Sequence, residues 1–382
     1  MSRHQDQLED ELRAALAARA ETVRPRPGAW DELRSRARRP PRGPRVAVAL
    51  GVAAAAATTV AVVALAGSPS DTPVVPVRPA PPSALATPSP TRPADGTVLG
   101  TWSVPGFPTG ASAGLGHVWV TSARDGGGVV LSRIDPADGG LVEVELPPGR
   151  VEAPALSADM VWVHLREEVL GVDPDTLEVR TRVAVGDGFG IGASGEQVWA
   201  SDGAAGLARI DPADGTVAER VPLPGPAERV LVQPDGAVVV TVPALGAAVR
   251  VAPDGAVGDP APLGGRPGAL LAGDGLVWVG VPETDELVGL DPTTLVEVRR
   301  LTVPGGRDEQ DPYAVHDPDR DAFWVTAGGG TLAQVRADDG RIVQHLRLGG
   351  WLFAGPAAYA AGDVWYVAHG SRQVLRIQPD PR

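Results

Sequence analysis

A Val-Trp pair, or a close equivalent of it, returns along this chain at intervals near forty residues, and no other feature restricts the fold as tightly. Trp119, Trp162, Trp199, Trp278, Trp324 and Trp365 fall in register, with Val239 filling the same slot once, at intervals of 43, 37, 40, 39, 46 and 41 residues. A repeat of this length marks supersecondary units that cannot bury an apolar face alone and must stack on their neighbours. Four short strands per unit fit the spacing, and seven units lie within the usual range of propeller blades.

Each unit divides into the same four segments. A run of small residues comes first, as in Ala153-Pro154-Ala155-Leu156 or Gly268-Ala269-Leu270-Leu271, suited to a strand crowded against an axis. The alternating strand around the aromatic follows, as in Val161-Trp162-Val163. A third strand such as Leu207-Ala208-Arg209-Ile210 stops at a turn signal, Asp211-Pro212-Ala213-Asp214-Gly215. The fourth runs from Val217 to Val221 and ends at Pro222-Leu223-Pro224-Gly225.

The ends of the array complete one another. The last unit stops after its third strand, at Arg376-Ile377-Gln378-Pro379-Asp380, whereas the stretch from Ala94 to Gly106 reads as a fourth strand with its turn and nothing before it to pair with. The expectation is therefore an all-β, seven-bladed propeller over residues 97–382, closed by pairing of its N- and C-terminal strands, which hides edges that an open array leaves unpaired. The mid-strand tryptophans, flanked by Val, are expected to pack between blades.

Ahead of the repeats the composition changes three times. Residues 46–66 form 21 uncharged positions with ten Ala, six Val and two Leu; as a helix they would span roughly 31 Å, close to the hydrocarbon thickness of a bilayer. Arg34, Arg36, Arg38, Arg39, Arg42 and Arg45 crowd the N-terminal flank, so the positive-inside rule places residues 1–45 in the cytoplasm and the propeller outside. Ala64-Leu65-Ala66 offers an alternative, cleavage and release of the body. Residues 67–96 hold nine prolines and read as an extended linker. In the tail, Leu8, Leu12 and Leu16 recur at helical spacing. The tail loosely resembles the cytoplasmic segments of transmembrane anti-sigma regulators, which implies a possible cytoplasmic protein partner.

The net charge is -13, and residues 1–45, with 11 Arg and 7 Asp or Glu, contribute +4, which leaves -17 for the remainder. An acidic body argues against nucleic acid as a partner, since phosphate contacts need clustered positive charge. Cysteine is absent, which removes disulfides, thiolate metal sites and cysteine nucleophiles.

The succession of small-residue strand, Gly-x-Val-Trp-Val, Leu-x-Arg-Ile-Asp-Pro, Asp-Gly-x-Val and Leu-Pro-x-Gly is similar to YVTN-type and streptogramin-lyase-like propellers over residues 97–378. The resemblance implies the propeller fold; in its lyase branch it also implies a Glu-x-His arrangement and a divalent metal near the central channel. The residues two before His117, His164, His316, His345 and His369 are Leu115, Trp162, Ala314, Val343 and Val367, so that arrangement is missing. No catalytic residue, metal ligand or cofactor is assigned.

What remains is the loop face where fourth strands hand over to first strands and second strands to third. Arg150 and Arg266 each stand 12 residues before the aligned Trp; the longest such loop carries Arg307, Asp311, Tyr313 and His316; Trp351 lies in another. Convergent polar loops with aromatics over an axial funnel are the default ligand site of such a fold. The expectation is a membrane-anchored extracytoplasmic module that binds or scaffolds a protein, glycan or small ligand. Two alternatives stay open: a metal-dependent lyase or hydrolase on the axis, and a signalling protein whose tail holds a cytoplasmic regulator.

Overall fold

The computed structural model of the protein describes residues 96–303, 313–327, 331–348 and 355–380. The tail 1–45, the apolar span 46–66 and residues 67–95 of the linker lie outside the described residues, as do Arg307, Asp311 and Trp351. Among the described residues no helix is long and apolar enough to cross a membrane.

Short β-branched runs punctuated by Gly, Pro and Asp form strands throughout. β1 (Gly96–Ser103) comes first. The first blade is β2 (Phe107–Gly114), β3 (His117–Ala123), β4 (Val129–Ile134) and β5 (Leu141–Leu146); the second is β6 (Ala155–Leu156), β7 (Val161–Val172) and β8 (Val179–Gly188). The third holds β9 (Ile191–Ser194), β10 (Gln197–Ser201), β11 (Leu207–Asp211) and β12 (Thr216–Val221), and the fourth β13 (Val230–Val232), β14 (Val238–Val242), β15 (Ala247–Val251) and β16 (Ala261–Pro262). The fifth holds β17 (Leu270–Gly273), β18 (Leu276–Val281), β19 (Glu286–Leu290) and β20 (Glu297–Thr302), and the sixth β21 (Ala314–Asp317), β22 (Ala322–Ala327), β23 (Thr331–Arg336) and β24 (Ile342–Arg347). β25 (Ala357–Ala360), β26 (Asp363–Ala368) and β27 (Gln373–Pro379) begin the seventh, which β1 completes. The second sheet has three strands because β7 runs through a left-handed Arg166, φ 57°, and brings Gly171 beneath the Trp162 ring.

The innermost strands touch in an unbroken circuit, β2 to β6, β9, β13, β17, β21, β25 and back to β2. Small residues make this possible: a Cβ added to Gly192 would stand 2.7 Å from the Val230 carbonyl oxygen on the next blade. The circuit is shut at the outside of the seventh blade, where β1 pairs antiparallel with β27 from Gly96 opposite Pro379 to Ser103 opposite Gln373. This is the closure expected from the sequence, and Trp102 reinforces it. Its ring lies 4.9 Å from that of Trp365, and its Nε1 donates to the Gly139 carbonyl of the first blade at 2.8 Å.

All six aligned tryptophans are fully buried, and each belongs to an apolar cluster shared with the following blade. Trp119 packs with Val161 and Val163, Trp278 with Phe323 and Val325, and Trp365 with Val118 and Val120; Val239 fills the same position against Val277 and Val279. Four indole N–H groups donate to the residue five before them, Trp119 to the Gly114 carbonyl, Trp278 to Gly273, Trp365 to Ala360 and Trp162 to the Ser157 hydroxyl, so the first turn of the blade satisfies the one polar atom of a buried ring.

The third-strand arginines form a second link between blades. Arg133 donates to the Pro174 carbonyl, Arg250 to Pro292 and Arg376 to Pro136, each time reaching the third-to-fourth-strand turn of the next blade. The Asp before these prolines is a turn residue: Asp173 Oδ1 accepts from the backbone N–H of Asp175 and Thr176, and Asp291 Oδ1 from those of Thr293 and Thr294.

Candidate functional site

Two residues past the aromatic, each second strand reaches the rim of the axial opening. The residues there are Thr121, His164, Ser201, Thr241, Gly280, Thr326 and Val367. The innermost strand opposes them with Gly110, which pairs with Thr121 directly, with Gly190, Arg229, Ala269, Tyr313 and Pro356 when their ladders are continued by one pair, and with Ala153 when that of β6 is continued by two. In three blades a hydroxyl clamps this residue in place. Ser201 Oγ accepts from Gly190 N–H at 3.0 Å, Thr241 Oγ1 from Arg229 N–H at 3.0 Å, and Thr326 Oγ1 from Tyr313 N–H at 3.1 Å. Five of the seven opposed residues are Gly, Ala or Pro. Of these seven innermost-strand residues, Arg229 and Tyr313 alone carry functional groups.

Arg229 reaches across the third blade to the second. Its Nη1 lies 3.0 Å from Glu152 Oε2, both side chains being about one-fifth exposed. Burial works against the Arg229 charge, and the groups around it, Glu152 foremost with Tyr313 and Glu228 beyond it, outweigh that and hold the guanidinium above its ordinary pKa. Glu152 is fixed in turn, since its carbonyl accepts from Thr121 Oγ1 at 2.7 Å. Phe189, between the two in sequence, has the Arg150 guanidinium 3.9 Å above its ring and that of Arg229 at 5.8 Å, within the range of cation–π attraction.

An aromatic group flanks this charged pair. His369 lies 5.0 Å from Phe107 and 6.2 Å from Tyr313, ring centre to ring centre. Burial lowers the His369 pKa to about 4, so the imidazole is neutral at physiological pH, and its Nε2 is buried without a hydrogen-bond partner. His164, on the second blade, is also held neutral by burial, and its Nδ1 bonds to the Gly190 carbonyl at 3.0 Å. The two histidines have different neighbours. Among the described residues no group of three His, Asp or Glu side chains stands close enough to hold a metal ion.

Of the residues picked from the sequence, Arg150 and Tyr313 fall in this cluster. Arg266 stands beside it, its Nη2 3.0 Å from Glu228 Oε2 and its backbone N–H donating to Glu283 at 2.6 Å. His316 requires a correction. It belongs to β21 rather than to the loop, pairs with Phe323, and stacks on that ring at 5.3 Å toward the opposite end of the strand from Tyr313. The strand starts at Ala314 because the chain regains the ladder as soon as Tyr313 has been clamped by Thr326. Arg307, Asp311 and Trp351 lie outside the described residues. Glu152, Phe189 and Arg229 escaped the sequence reading. The signal existed: Arg229 stands ten residues before Val239 where Gly190 stands nine before Trp199, the first turn of the fourth blade being one residue longer.

No family model and no curated protein matches the chain. Solved structures do match. The chain shares the fold of streptogramin B lyase. That similarity has a TM-score of 0.62 at 17% identity and covers 73% of this chain and 96% of the lyase. Virginiamycin B lyase from Staphylococcus aureus gives 0.61 at 15% identity over 73% and 99%, and hydrazine synthase from Kuenenia stuttgartiensis 0.61 at 14% over 71% and 95%. At such identities the likeness to the lyase extends to the propeller and not to its chemistry.

Proposed function

We propose that this protein is a membrane-anchored, extracytoplasmic binding module that takes its ligand at the axial mouth lined by Arg150, Glu152, Phe189, Arg229 and Tyr313. The carrying observation is the departure of Arg229 and Tyr313 from a seven-fold position otherwise filled by Gly, Ala or Pro. A repeat that needs only a small residue there for closure has no structural use for a guanidinium, so the side chain is read as recognition. The apolar span at 46–66 and the proline-rich linker supply the anchor and the distance from the bilayer.

A photo-crosslinking residue placed at Phe107, which is 44% exposed at the mouth, is compared in living cells with one at Val298, 56% exposed on the outer strand of the fifth blade. Adducts at position 107 and none at 298, detected as a mass shift of the intact chain, are expected. Equal labelling at both sites, or none at 107, removes the mouth as the binding site. Alkaline extraction of membranes tests the anchor: the full chain stays in the pellet, and a chain lacking residues 46–66 does not.

A further inference from the structure

Resting on that reading of the mouth, we infer that the ligand presents a carboxylate to Arg229 on an apolar body lying against Phe107 and Phe189, and that Glu152 occupies the carboxylate's place until it arrives. The pair formed by Arg229 and Glu152 is an expensive object at this position. Two charges, each about one-fifth exposed, must be taken out of water, and an apolar pair of the same volume would serve stability as well or better. The blades on either side manage with Gly190 and Ala269 at the same level. A guanidinium fork matches a planar two-oxygen group, and Glu152 already presents one, so the cradle is sized for a carboxylate.

The neighbourhood provides for the displacement. Arg150 Nη2 stands 3.9 Å from Glu152 Oε1, near enough to receive the carboxylate once it leaves Arg229. Arg150 is held ready by the Phe189 face at 3.9 Å while its side chain is 65% exposed. Glu152 is thus shared between the two arginines, and an incoming anion takes over Arg229 while Glu152 keeps Arg150, without leaving a carboxylate unpaired in the mouth. The apolar part follows from what surrounds the charges. Phe189 lies beside Arg229 and Phe107 is 44% exposed next to His369, so a flat hydrophobic group attached to the carboxylate would cover ring surface that water now touches.

The test uses the full chain in detergent and two probes that differ only in charge, N-acetylphenylalanine and its amide, titrated calorimetrically. The acid is expected to bind and the amide to bind at least about 10-fold more weakly, the factor associated with losing a charge-assisted hydrogen bond. Arg229→Gln should abolish the preference for the acid. Glu152→Gln should tighten the acid by about 10-fold, because the internal competitor is gone; a gain of affinity cannot come from misfolding, so this arm stands even if Arg229→Gln fails to fold. Extending the probe to N-acetyl-Ala-Ala-Phe separates two sources of the same chemistry, with tighter binding pointing to a peptide C-terminus and equal binding to a free small carboxylate. Equal affinity for acid and amide, or a Glu152→Gln protein no tighter than wild type, overturns the carboxylate while leaving the crosslinking result at position 107 to decide the mouth itself.

Discussion

Val98 stands opposite Ile377 in an antiparallel ladder, so that a strand near the start of the described chain and the last strand of the repeat array share one sheet. The pairing supplies the outer strand of the seventh blade, whose innermost strand β25 meets β2. It also makes the stability of seven blades depend on a strand 279 residues away in sequence from its partner.

Trp102 is the side chain on which that closure turns, since it packs on Trp365 and donates to Gly139. Trp102→Ala should cost about 2–4 kcal/mol, the lower part of the range for removing a large aromatic because the ring is only half-buried. Calorimetry should record a melting temperature lower by roughly 5–15 °C. Trp102→Phe, which keeps the ring and removes the indole donor, should fall between. An unchanged transition in Trp102→Ala would mean that the ring is closed by something else.

Gly289 faces Trp278 across the ladder, and a Cβ there would meet the indole ring at 3.0 Å. Gly289→Ala should destabilise by about 1–3 kcal/mol through overpacking. Trp278→Ala alone should cost about 3–5 kcal/mol, and combining the two should cost less than the sum, because the first loss makes room for the added methyl. Urea melts of the three variants measure the coupling; strict additivity would contradict the contact.

His369 is neutral in the folded protein, with its pKa lowered from 6.5 to about 4 by burial. As pH falls between these values the unfolded chain takes up the proton first, so native stability declines over that interval and is constant above it. The melting temperature should therefore drop between pH 6.5 and pH 4.5, and His369→Leu should flatten that part of the curve. His164, lowered in the same direction, leaves a residual slope in the single variant that disappears in His164→Leu/His369→Leu.

Asp291 shows the opposite behaviour. The Thr294 backbone N–H and hydroxyl, together with the Thr293 N–H, hold its carboxylate below the usual 3.8. Stability from this turn is complete above the unfolded pKa and is lost as pH falls through the folded one. Asp291→Asn should therefore melt slightly below the wild type at pH 7 and converge with it as the pH falls below 3, giving a shallower acid profile; an Asn protein that melts with the same acid profile would count against the turn as a contributor.

The blade order, the closure and the burial of the tryptophans were legible because each rests on a local pattern. A Val-Trp-Val run is apolar on both faces and has to lie between sheets, and a fourth strand without a third before it has to find one elsewhere. The site was less legible. Arg150 and Arg266 share an offset of 12 residues from the aromatic, whereas Arg229 belongs to a different column, that of Gly190 and Ala269 nine residues before the aligned position, and one extra residue in its first turn puts it at ten. His316 looked like a loop residue because it follows the charged, Gly-containing run 305–312, and only the ladder between His316 and Phe323 reveals that the strand has already begun.

Sequence alone determined how many sheets this chain forms and which side chains fill the spaces between them, because hydrophobic periodicity and turn chemistry act over a few residues at a time. Tertiary structure decided which polar groups meet at the axis. Glu152 and Arg229 are 77 positions apart and belong to blades that are not neighbours. Only the curvature of the closed ring brings them within 3.0 Å of one another, and curvature is a property of seven packed interfaces that no single repeat encodes.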